Sequence, residues 1–289
     1  MRYVIYLKSQ LNYLLICVLI LFSQTVPAKE TLVLGIHPYK SPGKLHIAYT
    51  PLANYLSEQL QVPVEIRISR SYQSHIDAVG EGRIDIAYMG PASYVNMTEK
   101  YQKKPLLVRQ AIKGKPSFQG VVFISDSSEI TSLSQLKGQR FAFGDRNSTM
   151  SHLVPRFMLW QAGVDVSSLK EYRFLGSHDN VALSVLVGDY DAGAVKEAVF
   201  KKYAGKGLKL LATTPPLSEH LFVASTELST EQVEKIRAAF SQLNNVTNGR
   251  KIMSAIKPGI TGMVAVEDSD YDNLRVILKK LRELGVGKE

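Results

Sequence analysis

The feature that most narrows what this chain can fold into is a regular alternation of short apolar segments with helical ones, starting at Thr31. Leu32-Val33-Leu34-Gly35-Ile36 reads as a buried strand, and residues 46–60 then carry Ala53, Leu56 and Leu60 at helical spacing. Val64 to Ile68 is a second strand, Tyr72 to Val79 a short helix, and Ile84 to Tyr88 a third strand ended by Met89-Gly90-Pro91. Pro91 suits the first turn of a helix, where its missing N–H would have had no partner. The middle repeats the scheme, with strands at 120–125, 141–143, 172–174, 191–195 and 208–211 and helices between them. After a return strand at 221–224, the last third reads as helices at 230–244, 250–256 and 271–284. Strands separated by helices of this length predict α/β architecture, with mostly parallel sheets flanked by helices.

No Pro- or Ser-rich linker, internal repeat or charge block interrupts residues 31–289. A domain boundary here must be a crossover between closely joined lobes, which predicts two lobes and a cleft. The first 28 residues read as an export signal. Arg2 and Lys8 supply a positive start, Leu14 to Phe22 an apolar run, and Val26-Pro27-Ala28 small residues for cleavage. The run is too short for the ~20 residues that span a bilayer. Cys17 is the only cysteine and lies inside that signal, so the exported chain could form neither a disulfide nor a thiolate metal site. These features predict a periplasmic protein.

The formal charge is +9 and becomes +7 without the signal, which carries two basic residues and no acidic one. Lys and Arg are scattered rather than clustered, which argues against nucleic acid and for modest attraction of anionic ligands.

The segment Gly144-Asp145-Arg146-Asn147-Ser148-Thr149-Met150-Ser151-His152 stands where a strand hands over to a helix. Helix N-termini present N–H groups without internal partners and partial positive charge, so they attract oxyanions. Three hydroxyls (Ser148, Thr149, Ser151) and Asn147 make this the candidate site for a small tetrahedral anion. The alternative is an ordinary N-cap, for which Asn147 or Ser148 alone would suffice.

Three further groups bear on this choice. Gly90-Pro91 places a turn just past a strand's C-terminal end, where ligands sit in open α/β sheets. Ser177-His178-Asp179 starts another helix directly after a strand, and His178 could donate to an anion, or Ser177 or Asp179 could simply cap it. Tyr39, Tyr72 and Tyr88 fall beside strand ends, where a phenol can close over a small ligand. No Ser-His-Asp geometry is available from adjacent His178 and Asp179, and Ser148 is not in G-x-S-x-G. The six histidines lack metal-site spacing and no phosphate-binding P-loop occurs. Neither an enzyme, a metal nor a cofactor is expected.

Taken in series, Gly82 to Pro91, Leu136-Lys137-Gly138, Phe141 to Asp145, Asn147-Ser148-Thr149, Pro155, Ser177-His178-Asp179 and Asp191 to Val195 resemble the periplasmic phosphate/phosphite/phosphonate-binding proteins of ABC transporters. The resemblance implies a type II periplasmic-binding fold. Residues 29–121 with 222–289 would form one lobe, residues 122–221 the other, and the ligand would lie between them. It implies that Ser148, Thr149 and the helix behind them hold the phosphorus oxyanion with His178, and that Tyr72 and Tyr88 complete the enclosure. It also implies an inner-membrane ABC permease as partner. The family often reads Ser-Thr-Ser-Gly where this chain has Ser148-Thr149-Met150-Ser151, so Met150 would add bulk beside the anion. Carboxylates hold the amine in the family's aminoalkylphosphonate binders, and Glu197 and Glu219 fall near those places. On this reading neutral donors would hold the dianion without a counter-charge. Two other outputs keep the same fold: a ligand-sensing subunit of a membrane signalling system, and an enzyme.

Overall fold

The computed structural model describes residues 31–286; the export signal read from residues 1–28 lies outside the described residues. The strands are, in chain order, β1 (Leu32–Ile36), β2 (Val64–Ile68), β3 (Ile86–Met89), β4 (Leu106–Ile112), β5 (Ser117–Phe118), β6 (Gly120–Ser125) and β7 (Arg140–Phe143). They continue with β8 (Glu171–Phe174), β9 (Ala192–Lys196), β10 (Leu208–Thr213), β11 (Leu217–Ser218), β12 (Leu221–Ala224) and β13 (Ile260–Val264). They form a six-stranded sheet in the order β13-β4-β12-β3-β1-β2, a five-stranded sheet in the order β10-β6-β9-β7-β8, and a two-stranded ribbon of β5 and β11.

Both large sheets are mixed, and the reversed strands have a topological cause. In the first sheet β1, β2, β3 and β4 run one way, while β12 and β13 run against them. In the second, only β6 opposes the others. The chain leaves the first sheet from the C-terminal end of β4, passes through β5 and enters the second as β6. It returns through β11 and re-enters the first sheet as β12. A strand that enters its sheet from the far lobe starts at the edge where the parallel strands finish, so β6 and β12 must point backwards. The antiparallel ribbon of β5 and β11 lays the two crossovers side by side.

Each sheet is covered on both faces, and the side-chain alternation divides its residues between two cores. Ile86 and Tyr88 of β3 join Leu45, Tyr49, Leu52 and Phe240 on one face, while Ala87 and Met89 join Tyr94, Tyr271 and Leu278 on the other. Val122 and Ile124 of β6 pack with Phe141 and Phe143, and Val121 and Phe123 with Val181 and Val185. Burial on both faces is why these strands read as unbroken apolar runs.

Strands β4, β5, β11 and β13 are additions to the sequence expectation, and two helix starts differ from it. The first helix begins at Pro42, not near 46, because Ser41-Pro42-Gly43 is a helix start with Pro in its first turn. The helix expected after the strand at 141–143 opens as one π-helical turn, Thr149–Leu153, before the α-helix Val154–Gln161. Such turns interrupt regular pairing and are frequent at functional sites.

Candidate functional site

The C-terminal edge of the first sheet carries a packed group of aromatic and imidazole rings. His37 follows β1 directly and stacks on Tyr88 of β3, with centroids 5.2 Å apart and planes within 5°. His220, one residue before β12, stacks on the same Tyr88 at 5.3 Å and lies 5.7 Å from His37. Tyr72 and Tyr39 flank His37 at 4.8 and 5.1 Å. The edge collects these rings because β1 and β3 end there and β12 begins there, with Leu221 paired to Met89.

Hydrogen bonds fix the protonation of this group. The carbonyl of Tyr88 accepts from His37 Nδ1 at 3.2 Å and from His75 Nε2 at 3.0 Å, so both nitrogens carry hydrogen. His37 Nε2 is then a lone-pair acceptor, buried and without a partner. Glu219 Oε2 accepts from both the backbone N–H and Nδ1 of His220, at 2.9 and 2.8 Å. That leaves His220 Nε2 as an acceptor, and the ammonium of Lys196, at the end of β9, donates to it at 2.9 Å. Lys257 donates to the other oxygen of Glu219 at 2.9 Å.

These contacts set the charges. Burial, with Lys196 second, holds His220 down at about 4, and burial likewise takes His75 to about 4. His37 is lowered by burial and by His220, His75 and Lys196. All three imidazoles are therefore neutral at pH 7. Burial is also the main reason Lys196 comes down to about 7, with repulsion from Lys257 next. Against its burial, Glu219 is held well below the carboxylate range by His220, Lys257 and Lys196. Burial pushes the Tyr39 phenol up to about 12 and raises Tyr72 and Tyr88 further, so the phenols remain donors.

The second sheet contributes the turn after β7. Gly144 lies against Ser151 so closely that a Cβ there would sit 2.5 Å from the Ser151 hydroxyl oxygen. Ser151 donates to the carbonyl of Ala194 in β9 at 2.5 Å, so its hydrogen holds the turn onto the sheet. Ser148 caps the turn by accepting from the Ser151 N–H at 3.3 Å, and Thr149 accepts from the backbone N–H of Ala92 at 3.1 Å. Both Ser148 and Thr149 use lone pairs in these bonds and keep their own hydrogens for another acceptor. Capping and donation are thus compatible in Ser148. His178 Nδ1 accepts from the Lys196 backbone N–H at 3.2 Å, which puts the ring hydrogen on Nε2, buried and without a partner. Ser177 caps the helix His178–Leu186 through the Asn180 N–H.

A chain of contacts joins the two sides. Thr149 holds Ala92 at the start of the helix Pro91–Lys100. A Cβ on Gly90, the residue before that helix, would sit 3.6 Å from His220 Nε2. His220 meets Lys196, and Lys196 meets His178. Of the residues expected from sequence, Thr149, His178, Tyr88, Tyr72 and Tyr39 are tied to this cluster by these contacts, and Ser148 and Ser151 belong to the adjoining turn. Asn147 lines a separate groove with Gln73, Asn96, Arg146 and Arg156. Met150 turns away, into the crossovers, where Thr214 donates to its sulfur at 3.4 Å.

Sequence reasoning overlooked Lys196, His220, His37 and His75. His37 and His220 adjoin strand ends, the same criterion that selected the tyrosines; Lys196 was read as the start of a helix. Both carboxylates named from sequence already have partners: Glu197 pairs with Lys201 at 2.6 Å, and Glu219, inside the cluster, with Lys257 and His220. Beside the neutral donors expected from sequence, the cluster holds one amine, that of Lys196, on the side of the second sheet. Among the described residues no group of three His, Cys, Asp or Glu side chains could hold a metal ion, and no helix is long and apolar enough to cross a membrane.

Two mixed sheets joined by paired crossovers, with unpartnered buried donors where they meet, define a two-lobed binding protein of the type II periplasmic-binding fold. The chain belongs to the family of periplasmic substrate-binding proteins of ABC phosphonate transporters, whose profile matches residues 34–271. It is 29% identical over 270 residues to the phosphate-import protein PhnD of Mycolicibacterium smegmatis, covering 85% of this chain and 84% of that one. It is 24% identical to the probable ABC transporter phosphite-binding protein PhnD1 of Prochlorococcus marinus, over 95% of this chain and 99% of that one. The structure of PhnD1 in complex with methylphosphonate superimposes with a TM-score of 0.80 at 24% identity, covering 88% of this chain and 98% of that chain. A phosphonate-transporter binding component from Pseudomonas aeruginosa superimposes with a TM-score of 0.77 at 21% identity, covering 87% and 86% of the two chains.

Proposed function

We propose that this protein is a non-enzymatic periplasmic receptor that captures phosphate, phosphite or a small phosphonate and delivers it to an inner-membrane ABC permease. On this reading residues 29–121 and 222–289 form one lobe, residues 122–221 the other, and a cleavable signal at 1–28 directs export. The observation that carries the proposal is the set of donor hydrogens left for a ligand: the Nε2 hydrogen of His178, which has no partner, the hydroxyl hydrogens of Ser148 and Thr149, and the hydrogens that the Lys196 ammonium does not give to His220. Buried donors without partners cost free energy, and an oxyanion accepts from all of them. Charge-assisted bonds contribute about 1.5–3 kcal/mol each, so four support micromolar or tighter binding. Tyr39, Tyr72 and Tyr88 would close the first-lobe side, while Ser151 and Asn147 hold the turn that presents Ser148 and Thr149.

Titration calorimetry of the mature protein with phosphate, phosphite and methylphosphonate tests this directly. We expect heat and a rise in Tm with at least one. No heat and no thermal shift with any of them would overturn the reading.

A further inference from the structure

Lys196 is half-buried, yet among the described residues no carboxylate lies within ion-pairing distance of it. Its ammonium donates to the neutral Nε2 of His220 and lies 5.5 Å from the ring centres of both Tyr39 and Phe118. Three of the nearby acids are engaged. Glu219 is fully buried and takes Lys257 and His220, Glu197 takes Lys201, and Asp179 takes Lys202. A lysine kept for structure alone would reach water or pair with an acid. This one has no acid partner, and it is held in place by an imidazole whose other nitrogen is anchored to a buried carboxylate. The backbone N–H of the same residue also orients His178, so one residue aims two donors at the same region.

The arrangement has a converse. A ligand substituent bearing an ammonium would approach a cation and two more donors at Lys196; Asp145, which interacts with Tyr72 and accepts from the Asn147 N–H, is the carboxylate that such a substituent would have to reach instead. Like charges in a partly desolvated site repel strongly, so such a ligand would be rejected.

We propose, on the reading that the cleft takes a phosphorus oxyanion, that Lys196 is a direct charge partner of the ligand and the residue that sets its specificity. The cleft accepts oxyanions whose remaining substituent is uncharged or negative, inorganic phosphate among them, and rejects aminoalkylphosphonates.

The test is calorimetry of wild type, Lys196→Met and Lys196→Gln with phosphate and with an isosteric pair, ethylphosphonate and aminomethylphosphonate. Thermal unfolding verifies that the variants are folded. We expect wild type to favour ethylphosphonate over aminomethylphosphonate at least tenfold. Both variants should bind phosphate at least tenfold more weakly, and should narrow the preference within the pair to less than threefold. The proposal is overturned if aminomethylphosphonate binds wild type as well as ethylphosphonate does, or if phosphate affinity in both folded variants matches wild type. Wild type that binds no phosphorus oxyanion at all would instead overturn the receptor reading itself, which keeps the two failures apart.

Discussion

The backbone N–H of Ala92 donates to the hydroxyl oxygen of Thr149 at 3.1 Å. Ala92 belongs to the first turn of a helix on the first sheet, and Thr149 opens the π-helical turn that follows β7 in the second. One hydroxyl thus accepts from the N-terminus of a helix on the first sheet and retains a hydrogen to donate. Replacing Ser148 and Thr149 together by alanine removes two donors and this tie. We expect phosphate binding to weaken at least tenfold by calorimetry. Unchanged affinity would mean that the turn only caps a helix.

Ser151 should behave differently, because its hydrogen is already given to the Ala194 carbonyl. Ser151→Ala leaves that buried acceptor unsatisfied, and we expect a loss of about 1–2 kcal/mol in denaturant unfolding. Gly144→Ala attacks the same contact from the other side, since its Cβ would meet the Ser151 oxygen at 2.5 Å. The turn has to move, and overpacking of this kind costs about 1–3 kcal/mol. Stability equal to wild type in Gly144→Ala would show that the turn is not held as tightly as this.

Strand and helix order was legible from Thr31 onward because doubly covered sheets produce apolar runs that only a core explains. Of the strands that the pattern hid, β4 and β13 carry side chains that answer to other demands. Arg109 of β4 pairs with Asp270 and Gln110 takes the hydroxyl of Tyr88, while Gly262 interrupts β13 where Asn244 binds the backbone of Met263. The Ser148-Thr149 turn could be read because hydroxyls at a helix start have few other uses. Lys196 could not. A lysine after Ala194-Val195 looks like a surface residue opening a helix, and only the crossover that brings His220 beside it reveals its setting. Glu219 falls near a place where the resemblance puts a carboxylate for a ligand amine, but the fold places Lys257, distant in sequence, against it first.

That last pairing gives a third prediction. Glu219 is fully buried and accepts from Lys257, the His220 ring and the His220 backbone. Glu219→Gln removes the negative charge while leaving two cations, Lys257 and Lys196, nearby. Breaking a buried pair by removing one partner costs on the order of 3 kcal/mol. Chemical denaturation should show a loss of that order, and a change below about 1 kcal/mol would mean that the cluster tolerates the loss. The His220 ring also loses its anionic anchor, so phosphate binding should weaken even in the folded fraction.

The histidines give the ligand-free protein a defined acid response. His75 and His220 are lowered from 6.5 to about 4 by burial, so the unfolded chain takes up protons between those values and the native chain does not. Stability must therefore fall as pH drops from 6.5 towards 4, and these two groups add no further loss below that. Lys196, lowered from 10.5 to about 7, acts in the same direction in a separate window: stability falls as pH drops from 10.5 to 7 and levels off below. Thermal unfolding across both windows separates them. Lys196→Met should flatten the alkaline slope and change the acid one only through His220, which Lys196 helps to lower, whereas His75→Phe should reduce the acid slope, His220 keeping its share, and leave the alkaline one. Bound phosphate, by favouring charged Lys196, should also reduce the alkaline slope in wild type. If Lys196→Met and wild type follow the same curve between pH 10 and 7.5, Lys196 is not held in the low-pKa state that its burial and Lys257 impose.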